Sequence, residues 1–111
     1  MKKKPNKTGP DYAYRFERKF AQMVLARMEE LLVAKKLDSI EQFGDMIRRP
    51  GTTHGRSLVY RLRKGQGITL SDAVRIVEAF RTIENSPQYD LLSYLGAVKG
   101  KMILEELNAG S

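Results

Sequence analysis

The stretch Ser39–Phe80, SIEQFGDMIRRPGTTHGRSLVYRLRKGQGITLSDAVRIVEAF, decides the fold. It reads as three short helices in close succession. Ser39 or Asp38 caps the first, about Ile40 to Arg49, in which Ile40, Phe43, Met46 and Ile47 recur at helical spacing. Pro50-Gly51 stops it, because proline cannot continue a helix, and Thr52-Thr53-His54-Gly55 reads as loop. The second helix, about Arg56 to Lys64, turns Leu58, Val59 and Leu62 inward and Ser57, Tyr60, Arg61 and Lys64 outward. It ends at Gly65, a glycine suited to the left-handed turn after a helix. Thr69 caps the third, with Asp72 three residues on, a pattern similar to a capping box. That helix runs to about Ile83, with Leu70, Ala73, Val74, Ile76, Val77 and Phe80 apolar.

Both flanks are helical as well. Upstream, Asp11 caps a helix running to about Lys36, with Phe16, Phe20, Met23 or Val24, Met28, Leu31 and Leu32 as its apolar stripe. Such a helix is long for a small domain, so its first half is expected to pass the central core and pack on something else. Downstream, Asn85-Ser86-Pro87 is a break. A last helix follows, about Gln88 to Leu107, with a heptad-like seam of Leu91, Leu95, Val98 and Met102 that Leu92, Ile103 and Leu107 are expected to widen. Residues 1–10, with four Lys, two Pro and a Gly, read as a flexible basic arm. The expected fold is all-α: a compact bundle of about five helices, with a helix-turn-helix over residues 11–85 and an extra C-terminal helix over 86–111.

Charge is placed unevenly along the 111 residues. Residues 1–65 carry 16 Lys/Arg against 7 Asp/Glu, and residues 66–111 carry 4 against 6. Between Asp45 and Asp72 there is no acid, but there are six bases: Arg48, Arg49, Arg56, Arg61, Arg63 and Lys64. A local positive field of this kind attracts polyanions. Catalysis finds little support. His54 is the lone histidine and there is no cysteine, so neither a triad nor a His/Cys metal site is expected, and no cofactor or small-molecule ligand is implied. The cysteine-free composition suits the cytoplasm, and no apolar run approaches the roughly 20 residues of a membrane span.

From about Ala26 to Phe80 the chain resembles the lambda-repressor-like helix-turn-helix domain of Cro and phage repressor proteins. The resemblance rests on Ser39-Ile-Glu-Gln-Phe43-Gly44, on Ser57-Leu-Val-Tyr-Arg-Leu-Arg-Lys-Gly65, and on Ile68-Thr-Leu-Ser-Asp-Ala-Val-Arg-Ile-Val-Glu-Ala-Phe80. The chain departs from that pattern at three places. The turn between the two motif helices is longer by about five residues around Arg49–Thr53. Ile40 stands where a polar residue is usual. Gly44 stands where alanine is usual, at a cost of roughly 0.5–1 kcal/mol in a helix.

The resemblance implies sequence-specific binding of double-stranded DNA by a transcription regulator, a repressor of phage or mobile-element type, with the helix from Arg56 as reader. Arg56, Ser57 and Tyr60 are then expected at bases, and Arg48, Arg49, Thr52, Thr53, Arg61 and Lys64 at phosphates. Because one such motif reads only a few base pairs, a homodimer is expected, with the C-terminal helix as its dimerisation element. The competing expectation is a protein-interaction module, such as an antitoxin or adaptor, that keeps the fold. RNA binding is disfavoured, since Tyr60 is the only aromatic residue of the basic region.

Overall fold

The computed structural model describes residues 10–53, 55–86 and 89–109, so the basic arm lies outside the described residues up to position 9. The described residues form five helices and no strand: α1 (Pro10–Val33), α2 (Ile40–Ile47), α3 (Arg56–Lys64), α4 (Leu70–Glu84) and α5 (Leu91–Ala109). The all-α bundle read from the sequence is the fold.

Local chemistry sets the helix ends. Ser39 accepts a hydrogen bond from the Gln42 amide at 3.0 Å and so caps α2. The α2 helix stops at Ile47, two residues earlier than its sequence suggests, because Arg48 already adopts extended backbone (φ −61°, ψ 150°) ahead of Arg49-Pro50. Thr69 and Asp72 form a complete capping box on α4. Asp90 caps α5, which begins at Leu91: its carboxylate accepts from the Ser93 amide at 2.9 Å, while the start read at Gln88 lies outside the described residues. Three helices close with a left-handed residue, at Lys35, Gly65 and Asn85. At Lys35 the amide of Lys36 reaches back to the Leu31 carbonyl at 3.0 Å and that of Lys35 to Leu32 at 3.1 Å, and the same pair of bonds recurs at the other two ends.

The core is one cluster drawn from all five helices. Phe43 and Phe80 stack with centroids 5.3 Å apart, and Phe80 passes the contact to Tyr94 at 6.1 Å. Phe20 meets the edge of Tyr94 at 5.6 Å. The first half of α1 therefore packs on α5, which lies against it through buried Val98 and Met102. Ion pairs border this seam, Lys19 with Glu105 at 2.9 Å and Arg15 with Glu106 at 3.7 Å. At the other end of α1, Arg27 pairs with Glu84, which accepts the Tyr89 hydroxyl at 2.6 Å.

Five apolar positions differ from the sequence expectation. Leu70 is exposed because it is the first residue of α4 and points away from the bundle, and Met46 is at the exposed edge of α2. Leu92, Ile103 and Leu107 do not widen the α5 seam. They lie on the opposite side of the helix from Val98 and Met102, and all three are exposed.

Candidate nucleic-acid interface

The site is built around α3. Its inner residues Leu58, Val59 and Leu62 are buried, and α1 and α2 pack against it. The hold on the α2 side is unusually close. A Cβ placed at Gly55 would lie 1.7 Å from the Gly44 carbonyl oxygen and 2.6 Å from the Gly44 Cα, so the backbone ahead of α3 rests directly on the α2 backbone. Gly55 has φ −99°, which any residue can adopt; what the position requires is room. At the far end, a Cβ on Gly65 would meet the Arg18 side chain at 3.0 Å, so α1 fixes the exit of α3 as well. Glu17 then accepts the Ile68 amide at 2.8 Å and holds the connection that follows.

The long turn is fastened to α4. Arg49 makes a two-pronged contact with Asp72, Nε to Oδ1 at 3.0 Å and Nη2 to Oδ2 at 2.6 Å, and its Nη2 donates to the Gly67 carbonyl at 3.3 Å. Arg75 also pairs with Asp72, and its Nε donates to the Ile47 carbonyl at the end of α2 at 3.1 Å. Asp72 is fully buried. Burial pushes its carboxyl up, but hydrogen bonds from Arg49 and Thr69 outweigh burial and hold it at about 2. The Arg49 guanidinium is raised by the same contact. Within the turn, Arg48 donates to the Thr52 carbonyl, and the Thr52 hydroxyl donates to the Arg49 carbonyl at 2.6 Å.

Eight of the nine residues singled out from the sequence line two depressions astride the start of α3. On the α2 side, Thr53, Arg56 and Tyr60 share a cleft of about 460 Å³ with Ile40, Gly44 and Val59. On the other side, Arg48, Arg49, Thr52, Ser57 and Arg61 surround a hollow of about 140 Å³. Lys64 stands over the Tyr60 ring with its Nζ 5.4 Å from the centroid. Arg49 is apart from the rest in that its guanidinium is turned to Asp72. His54 lies outside the described residues.

Three residues of the cleft were missed by the sequence reading. Arg63 lines it, three positions after Tyr60 on α3, a spacing that places both on one side of a helix. Glu41 and Asp45 line it from α2 and bring negative charge to that wall; they stand four apart on one helix face, which was legible. Among the described residues there is no group of three or more His, Cys, Asp and Glu able to hold a metal ion, and no helix long and apolar enough to cross a membrane. The chain matches no protein-family model, no curated protein and no solved structure with which it was compared.

Proposed function

We propose that this protein binds double-stranded DNA sequence-specifically, as a transcription regulator of the repressor kind, by laying α3 in the major groove. The observation that carries the reading is the division of α3. Its apolar side is held by α1 and α2, while Ser57, Lys64 and Tyr60, the last 62 % exposed, face outward beside two depressions rich in arginine. A helix enters the groove only when its outer face is polar and its pose is fixed from behind. Arg56, Ser57 and Tyr60 then meet base edges. Arg61, Lys64, Thr52, Thr53 and Arg48 stand toward phosphates, and Arg49 acts chiefly by tying the turn to Asp72.

Selection of bound duplexes from a random pool tests this directly. An enriched site is expected. On that site Arg56→Ala or Tyr60→Ala should cost about 1–3 kcal/mol and relax preference at one position. Lys64→Ala should weaken all sequences alike and lower the salt slope by about one. No enriched sequence, or variants that stay folded and bind like the parent, would refute the reading. A protein partner in the α2–α3 cleft is the second reading, favoured by the Glu41/Asp45 wall over an apolar base. It predicts no salt-dependent duplex binding at all.

A further inference from the structure

On α5 the usual arrangement of charge and apolar surface is inverted. Four charged residues, Lys99, Lys101, Glu105 and Glu106, stand on its flanks or toward α1. The side facing away from the bundle carries no charge over an arc of roughly 160°, given 3.6 residues per turn. Leu92, Ile103, Leu104 and Leu107 project there at 81, 46, 60 and 65 % exposure. Gly96 and Gly100 lie between them on the same side, and a Cβ on either would meet no atom within 4 Å. Solvent-facing helix positions normally carry charge, so an apolar outer face beside a charged inner border points to a covering partner.

We infer that a second copy of this chain covers this face, with the two α5 helices antiparallel. A two-fold interface must be self-complementary, each residue i meeting j while j meets i. One antiparallel register satisfies this in both size and charge. It sets Ile103 against the partner's Gly100 and Leu107 against the partner's Gly96, so each bulky side chain faces a notch that lacks a Cβ. The same register brings Lys99 beside the partner's Glu106, which is 65 % exposed at 3.7 Å from Arg15 of its own chain. A parallel pair would stack Leu107 on Leu107 and leave the glycine notches facing each other empty. The overlap is about 24 Å long at 1.5 Å per residue. One helix pair falls short of the roughly 800 Å² per partner of a standard interface, so the dimer is weak and concentration-dependent. The inference does not depend on DNA binding, and its test uses no DNA.

Sedimentation equilibrium of the full chain from about 10 to about 500 µM should show the mass rising from monomer toward dimer. Gly100→Leu fills a notch that is open space in the monomer, so the chain should stay folded by circular dichroism while the dimer dissociation constant rises at least about tenfold. Lys99→Glu should weaken the dimer, and Lys99→Glu with Glu106→Lys should restore it. Because the chain has no cysteine of its own, orientation can be read by oxidation. A mixture of Gly96→Cys and Leu107→Cys chains should give the mixed disulfide, while Leu107→Cys alone should not crosslink. A monomer at about 500 µM, a Gly100→Leu variant that dimerises like the parent, or efficient crosslinking of Leu107→Cys to itself would overturn the proposal.

Discussion

A methyl group added at Gly55 would lie 1.7 Å from the Gly44 carbonyl oxygen, 2.1 Å from its carbonyl carbon and 2.6 Å from its Cα. These are backbone atoms inside a helix and cannot swing aside as a side-chain tip can. To regain ordinary contact the start of α3 has to retreat from α2 by about 1.5 Å, and a gap of 0.5–1 Å already forfeits a quarter to a half of the contact attraction. Val59, Phe43 and Ile47 sit in the packing that would open. Gly55→Ala should therefore cost about 3–5 kcal/mol, above the usual range for overpacking. The reciprocal change behaves differently. A Cβ on Gly44 would meet Gly55 and Val59 atoms at 3.4 Å, which is ordinary contact, and alanine gains roughly 0.5–1 kcal/mol over glycine inside a helix. Urea unfolding followed by far-ultraviolet circular dichroism measures both. The expected result is opposite signs at two glycines that touch, with Gly55→Ala lowering the melting temperature by roughly 12–20 °C. A cost below about 1 kcal/mol for Gly55→Ala would mean that the backbones do not meet in solution as described.

Asp72 predicts a pH dependence. Its folded-state carboxyl, at about 2 against an ordinary 3.8, binds protons less readily than in the unfolded chain, so the stability it adds is complete above about pH 4 and is lost as the pH falls toward 2. The loss should be about 2 kcal/mol in acid unfolding titrations, and Asp72→Asn should remove most of that dependence. Lys35→Gly should raise stability by about 1 kcal/mol in thermal melts, since Lys35 holds φ 63° at the end of α1 and only glycine does so without strain. If α3 reads DNA, Glu41→Gln and Asp45→Asn should each tighten binding to every duplex alike, by roughly two- to fivefold at low salt, because each removes a repelling carboxylate. Unchanged affinity by fluorescence anisotropy would place both acids away from the phosphates.

Most helix boundaries were legible because caps and stops are short-range chemistry. Ser39, the Thr69–Asp72 box and Gly65 act within one turn of their own positions. The inner face of α3 was legible for a similar reason: Leu58, Val59 and Leu62 repeat at helical spacing beside basic neighbours. What could not be read were relations across the chain. Nothing in Arg49 distinguishes an arginine offered to solvent from one bound to an aspartate 23 positions later. Gly55 looked like one more loop residue, since its requirement is set by Gly44 on another helix. The same blindness covers α5, whose sequence carries apolar residues on two faces and does not say which one meets α1.

The α1–α5 seam joins residues as far apart in sequence as Lys19 and Glu105, 86 positions. Contacts of that span carry the largest loop-closure cost and form late. During synthesis the first half of α1 emerges early, and Phe20 lacks its Tyr94 contact until α5 leaves the ribosome. The contacts among α2, α3 and α4 span shorter stretches, such as the 23 positions from Arg49 to Asp72, and can form before α5 is made. Assembly should then proceed from the middle of the chain outward, with the two ends closing together in a final step. Amide exchange would record the reverse: α5 and the first turns of α1 should open as one unit, below the energy that unfolds the motif between them.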